Sequence, residues 1–305
     1  MDTQSLQAFL AVADCGSFSR AAEQLHLTQP AVSKRIAVLE SQTRARLFDR
    51  IGRRVSLTEA GRVLLPRARQ ILVMVDDSRR ALGNLDGAIG GELILATSHH
   101  IGLHRLPPIL GDYVHHHPEV RLDLRFLDSE QAYQGVLDGH IEVALVTLTT
   151  DPDPQLRVVP VWVDQMLLVA SPEHPLAQQQ HSSPQALSEH DALMPGPLTF
   201  THQLIEQRLA EHHLNLRVTQ STNYLETLKM MVIAGLGWSL LPERLVSADI
   251  EAGKLAALDV GGISIQRPLG YLVHRDRTLS NAAKAMLTRL DDEREAAAIE
   301  WSLSR

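Results

Sequence analysis

The sequence predicts an α + α/β chain: a helix-turn-helix head, one long helix and two α/β lobes. Three observations predict it. Residues 18–58 read as two short helices around a tight turn, followed by a basic hairpin. Residues 64–85 repeat small and apolar side chains at alternating spacings of four and three. From residue 92 onward short apolar strands alternate with helices, the pattern of a parallel sheet covered by helices.

In chain order, a first helix is expected from Asp2 to Asp14, with Leu6, Phe9, Leu10 and Ala13 inward and Gly16 as its stop. Ser19 is placed to cap a second helix carrying Ala22 and Leu25, with His26 and Leu27 as the turn. Thr28 then caps a third helix, with Pro30 in its first turn, where the missing N–H costs little. Val32, Ile36 and Leu39 form its inner face. Gln29, Ser33, Lys34 and Arg35 form the outer one, offering amide and hydroxyl groups for base edges and cations for phosphates. Arg53 and Arg54 at the hairpin tip could reach a minor groove. The candidate DNA-binding set is therefore Thr28, Gln29, Pro30, Ser33, Lys34, Arg35, Arg53 and Arg54.

Thr58 is expected to cap a helix over 59–85, bent early by Pro66. Its stripe of Leu64, Ala68, Ile71, Val75, Ser78, Leu82 and Leu85 is narrow and flanked by charges. That favours a seam between two copies over a helix lying only on its own core. Three glycines between residues 87 and 91 mark a hinge over 86–91. Strands are then expected at 92–97, 120–126 and 143–146, with helices over 102–116, where Pro107-Pro108 intervenes, and from Ser129 to Asp138. A second unit from about residue 160 has strands at 165–170, 192–194, 216–219 and 235–242 and helices at 201–213 and 224–234. A last strand at 267–274 and a helix over most of 280–298 close the chain.

In open α/β sheets ligands sit beyond the carboxyl ends of strands, against helix N-termini. Those positions are Thr97, Ser98, His99, Thr147 and Thr149 on one side, and Thr199, Thr201 and Asn223 on the other. Their hydroxyls and free N–H groups suit a carboxylate or another small anion, although Ser and Thr also serve simply as helix caps. Histidine is abundant, at 15 residues, but adjacent pairs diverge by about 100° on a helix. No metal site and no cofactor are assigned.

Ala21-Ala22 with Leu25, Thr28 to Ser33, Leu39-Glu40, Leu47-Phe48-Asp49-Arg50 and Leu57-Thr58-Glu59-Ala60-Gly61 closely resemble the winged helix-turn-helix of LysR-type transcriptional regulators. His174-Pro175-Leu176-Ala177 and the run from Gly235 to Pro242 resemble segments of the effector domain of the same family. The resemblance implies a winged helix-turn-helix over 1–58, a linker helix over 59–85 that pairs subunits, and a periplasmic-binding-protein-like effector domain over 92–305. Its first lobe would hold about 92–160 and 267–305, its second about 161–266. It also implies an effector in the cleft, with Thr97, Ser98 and His99 foremost. One departure stands out: the family has Leu-Gly where this chain has Thr43-Arg44. A left-handed cap at Arg44 would cost about 1 kcal/mol that glycine avoids.

Charge distribution agrees with a DNA-binding head. Residues 1–80 hold 13 Lys+Arg and 8 Asp+Glu of the chain's 29 and 36, leaving 16 basic and 28 acidic residues for the rest. A basic head on an acidic body confines phosphate attraction to one end. No phosphate loop, nucleophile elbow or metal-protease helix is present, so no enzyme is expected. An exported solute-binding protein would need a signal peptide, which Met1-Asp2-Thr3-Gln4 does not begin. No apolar run of membrane-spanning length occurs. A lone Cys15 forms no internal disulfide and reads as a small core residue. The expectation is a cytoplasmic, homodimeric or homotetrameric regulator that binds double-stranded promoter DNA and answers to a small-molecule effector.

Overall fold

The structure, a computed structural model, describes residues 1–51 and 54–303, with side chains described outside 50–54 and 297–303. It divides into two compact units, Met1–Asp86 and Gly87–Arg305.

The first unit opens with α1 (Thr3–Cys15), capped by Asp2, whose carboxylate accepts from Ser5 N–H at 2.8 Å. Gly16 ends it at φ 60°, a left-handed turn that glycine adopts without strain. The next helix, α2 (Phe18–Gln24), begins two residues earlier than expected. Ser17, not Ser19, is its cap: Ser17 has the extended backbone a cap needs, and Ser19 falls inside the helix. Thr28 caps α3 (Gln29–Thr43) by accepting from Ala31 N–H, with Pro30 in the first turn. Arg44 closes α3 at φ 53°, so the chain does adopt a left-handed cap there without glycine. Strands β1 (Phe48–Ile51) and β2 (Arg54–Leu57) pair antiparallel as the hairpin. Phe48 packs its ring 5.4 Å from that of Phe9 and 5.8 Å from that of Phe18, at the centre of the head's core.

Thr58 caps α4 (Glu59–Gly83) by accepting from Gly61 N–H at 3.1 Å. Gly61 is needed for close approach: a Cβ there would lie 2.3 Å from the Leu47 carbonyl oxygen. The expected seam divides along this helix. Leu64, Ala68 and Ile71 pack on the head's own core, and Arg69 Nη2 meets Asp14 Oδ1 at 3.0 Å. These residues are therefore intramolecular, because α1 lies against the same stripe. Further on, Leu82 and Leu85 are 70% and 81% exposed.

The second unit begins with β3 (Gly91–Thr97), α5 (His99–His104), α6 (Leu106–His116), β4 (Val120–Phe126), α7 (Ser129–Leu137) and β5 (Val143–Thr147). Prolines 107 and 108 sit in the first turn of α6, so the helix over 102–116 is interrupted just before them, as their presence requires. Asp128, not Ser129, is the N-cap residue of α7; Ser129 Oγ accepts from Thr147 N–H instead. Strand β6 (Leu156–Ala170) runs 15 residues, and the expected strand at 165–170 is only its second half. Then follow β7 (Asp191–Met194), α8 (Phe200–Ala210), β8 (Arg217–Ser221), α9 (Leu225–Ile233), β9 (Ser239–Pro242), α10 (Glu243–Glu251), β10 (Ala256–Ala257), β11 (Ile265–His274) and α11 (Asn281–Leu303).

β3 pairs in parallel with β4 and β5, as strand–helix–strand order requires. β11 runs antiparallel to β5 and, over its whole length, to β6. These two long strands carry the ladder from the first lobe into the second, where β9 and β10 also pair with β6. Pro160 lies opposite Gly270 where the β6–β11 register shifts, the kind of irregularity that tolerates a proline without an N–H. Leu95, Ile101, Leu106, Tyr113 and Tyr271 fill the first lobe's core; Met166, Leu168, Ile205, Trp238 and Leu240 fill the second's. Among the described residues no helix is long and apolar enough to cross a membrane.

Candidate functional site

The outer face of α3 is the first candidate. Thr28, Gln29, Pro30 and Lys34 are exposed, and Ser33 and Arg35 are half-buried. Gln29 Nε2 donates to Ser33 Oγ at 2.9 Å, one turn along, so the two present a joined polar surface. Arg35 is less free than its neighbours: its Nη2 donates to Gln4 Oε1 at 3.0 Å, tying α3 to α1. Arg53 and the side chain of Arg54 lie outside the described residues.

The second candidate is a cleft of about 190 Å³ in the second unit. From the first lobe it is lined by Ser98 and His99 at the end of β3, Phe126 to Gln131, and Thr147 at the end of β5. From the second it is lined by Pro195, Thr199, Thr201 and Asn223 to Leu225. Six of the eight expected positions are thus brought together: Ser98, His99, Thr147, Thr199, Thr201 and Asn223. Two are not. Thr97 is fully buried and turns its hydroxyl onto the Ser98 carbonyl, because alternate residues of a strand face opposite sides. Thr149 lies past the end of β5 in a separate, smaller cavity beside Leu148 and Phe200.

Polar contacts hold the lobes together across this cleft. Asn223 accepts from Gly196 N–H at 3.1 Å and donates to Asp128 Oδ2 at 2.7 Å. Glu130 accepts from Phe200 N–H at the start of α8. Burial raises the Glu130 carboxyl, and the backbone donors of Glu130 and Phe200 only partly oppose that. Thr199 caps α8, accepting from His202 N–H at 3.2 Å and donating to the Gly196 carbonyl. His99 stands edge-on to Tyr224 and Phe126, closing one end.

Arg267 on β11 also lines the cleft, and sequence reading did not find it. Its Nη2 donates to Asp164 Oδ2 at 2.6 Å, and its Nη1 lies 3.5 Å from Thr201 Oγ1. Its Nε is buried with no hydrogen-bond acceptor. Arg105 donates to the other Asp164 oxygen at 2.8 Å and lies over the Trp162 ring. Burial alone would raise the Asp164 carboxyl, but contacts from His100, Arg267 and Arg105 outweigh it and hold it well below the carboxylate range. A guanidinium fixed by a carboxylate behind it and facing hydroxyls in front can receive a small anion. No spacing in the sequence pointed to Arg267, since its partner is 103 residues away and only strand register joins them.

Comparison with known proteins identifies both units of the chain. The family profile described as bacterial regulatory helix-turn-helix protein, lysR family, matches residues 3–62, and that of the LysR substrate binding domain matches residues 86–295. The chain is 36% identical over 301 residues to the SDS degradation transcriptional activation protein of a Pseudomonas species, covering 96% of each. It is 70% identical over 108 residues to an uncharacterised HTH-type transcriptional regulator of Azotobacter vinelandii, over 35% of this chain and 75% of that one. Among solved structures it is similar to ArgP from Mycobacterium tuberculosis, at 26% identity and a TM-score of 0.63, covering 98% of this chain and 97% of that one. The chain belongs to the LysR family of DNA-binding transcriptional regulators, with that family's effector-binding domain joined to its helix-turn-helix.

Proposed function

We propose that this regulator is a cytoplasmic, self-associating protein that reads double-stranded promoter DNA through Gln29 and Ser33. Thr28, Pro30 and Lys34 position it, and Arg35, Arg53 and Arg54 add phosphate or minor-groove contacts. Its effector is a small anion, of the carboxylate class, seated against Ser98, His99, Thr147, Thr199, Thr201 and Asn223. The observation that carries this reading is Arg267: a buried guanidinium lining a cleft otherwise rich in hydroxyls and helix N-termini. The volume, about 190 Å³, is below the roughly 300–1,000 Å³ of clefts for drug-sized ligands, which favours a small metabolite. An effector touching both lobes binds their closed arrangement better than an open one, and that difference in affinity drives the response. Residues 86–91 would pass the change to the linker helix over 59–85.

The test is a gel shift of the full-length protein on its own upstream DNA, repeated across small carboxylates chosen by thermal shift. The reading expects retardation that random DNA does not match, and one anion that alters it. Equal retardation of both DNAs would remove the base-reading role. A panel in which only neutral or cationic compounds act would remove the anion assignment.

A further inference from the structure

We propose that His100, His104 and Glu226 form a divalent transition-metal site, of the zinc class, that ties α5 to α9 across the two lobes. His100 and His104 are four residues apart on α5 and so share one face of it, their ring centroids 4.9 Å apart. Glu226 comes from the first turn of α9 in the other lobe. Its Oε1 lies 2.9 Å from His104 Nε2 and 3.4 Å from His100 Nδ1, and one ligand atom from each residue falls within 4.8 Å of the others. Tetrahedral zinc, with bonds of about 2.0–2.1 Å, sets its ligand atoms about 3.3 Å apart. Of the three spacings, that from Glu226 to His100 already matches, that from Glu226 to His104 must open by a few tenths of an ångström, and that between the two histidines lies within 4.8 Å.

Two further observations point to a bound cation and not to a bare polar contact. The second Glu226 oxygen is buried with no hydrogen-bond donor, an unusual state for a carboxylate whose oxygens each accept readily. His100 is itself 5% exposed, and its Nε2 sits 3.3 Å from Asp164 Oδ2. With Nδ1 on a metal, Nε2 would carry the proton and face a carboxylate. That carboxylate–histidine–metal order is what orients ligating imidazoles. Two imidazoles and one carboxylate suit zinc, cobalt or nickel; magnesium and calcium prefer all-oxygen shells. His100 also lines the effector cleft, and a tetrahedral ion held by three side chains would take water or a ligand oxygen as its fourth partner. The site stands whether or not the cleft binds an anion.

The test uses full-length protein stripped by a chelator, titrated with Zn2+ by calorimetry and with Co2+ by visible absorbance. The proposal expects one tight equivalent per chain and the intense visible bands of tetrahedral Co2+. His104→Gln and Glu226→Gln should each weaken that equivalent by more than about 100-fold, beyond the usual loss of an outer-shell partner. Thermal unfolding without metal checks that both variants fold. Should Glu226→Gln fail to fold, the partly exposed His104 still decides the matter. His116→Gln, on the exposed end of α6, should keep the equivalent. Binding that all three variants retain, or that only His116→Gln loses, would place the ion elsewhere. Absence of a tight equivalent in the unsubstituted protein would leave a polar tie and no metal site.

Discussion

Arg267 on β11 and Asp164 on β6 are register partners across the long antiparallel ladder, and Nη2 of one meets Oδ2 of the other at 2.6 Å. Both side chains are almost sealed from solvent. A buried pair of this kind adds little net stability, but losing one partner is costly because a lone charge stays behind. The costs should differ. Asp164→Asn strands two neighbouring cations, Arg267 and Arg105; Arg267→Met leaves Asp164 still paired with Arg105. Asp164→Asn is expected to destabilise the second unit by about 3–5 kcal/mol and Arg267→Met by less. Urea unfolding followed by tryptophan fluorescence measures it, since all three tryptophans lie beyond residue 86. Equal losses under about 1 kcal/mol would mean that water reaches the pair.

Acid should act on the same region. Glu226 has a carboxyl held at about 2 against an ordinary value of 4.5, and Asp164 is lowered as well. A depressed native pKa gives stability that is fully present above the unfolded value and lost as pH falls through the native one. In metal-free protein the urea midpoint should therefore hold steady above about pH 5 and decline from there toward pH 2. Glu226→Gln should flatten part of that decline. A wild-type midpoint that instead fell between pH 6 and 7 would implicate histidines as the titrating groups.

What the sequence made legible was local. The caps at Thr28 and Thr58 depend on a few adjacent residues, and pattern reading finds such features; the missing glycine at Arg44 instead suggested a locally different turn, yet Arg44 takes the left-handed cap. The cap of α2 was missed because Ser17 and Ser19 are both serines near a start, and only backbone conformation separates them. Strand β6 was cut in half because Pro160 looks like a boundary; it is accommodated beside the register shift opposite Gly270. Six cleft residues could be named from strand ends and helix starts, yet Thr97 was lost to the alternation of strand faces. Arg267, Asp164 and Glu226 were invisible for a different reason. Their meaning lies in contacts more than a hundred residues apart, which register and lobe packing create. The four-residue spacing of His100 and His104 is present in the sequence, but it gains meaning only where Glu226, more than a hundred residues away, meets both.

Base reading by Gln29 is testable with its neighbour. Since Gln29 Nε2 already donates to Ser33 Oγ, the two should act as a unit on DNA. Gln29→Ala is expected to weaken binding to the specific site by roughly 1–3 kcal/mol and to random DNA hardly at all. Ser33→Ala should add less to Gln29→Ala than it costs alone, a non-additivity expected of contacting residues. Fluorescence anisotropy at one fixed salt concentration reads both. A uniform loss on specific and random DNA would make Gln29 a backbone contact.

Self-association should depend on the far end of α4. Ile71 packs on the head's own core, so a charge there would disturb folding as well as any partner. Leu82, 70% exposed, touches no such core and is the cleaner probe. Leu82→Asp is expected to dissociate the oligomer in sedimentation while leaving the melting of the head within about 0.5 kcal/mol of wild type. Tight binding to a two-half-site operator should fall with it, because each half-site alone is weak. An unchanged sedimentation coefficient would move the subunit contact off this helix.

The effector response should turn on Ser98 and not on Thr97. Ser98 begins α5 without using its hydroxyl as a cap, and it lines the cleft; Thr97, one residue earlier, is buried facing away. In a cleft of about 190 Å³ the side chain of leucine takes up space that a small ligand needs. Ser98→Leu should therefore raise the effector concentration for half-response at least tenfold, about 1.4 kcal/mol, with effector-free DNA binding unchanged. Thr97→Val removes only a hydroxyl bonded at 3.3 Å to the neighbouring carbonyl, so it should cost about 1 kcal/mol of stability and leave the response alone. The pair of variants separates occlusion of the cleft from general damage to the end of β3, which both changes would cause alike. If the two shifted the response equally, the damage would be general. If Ser98→Leu responded at wild-type concentrations, the effector would lie elsewhere, and Arg267 would be a structural cation only.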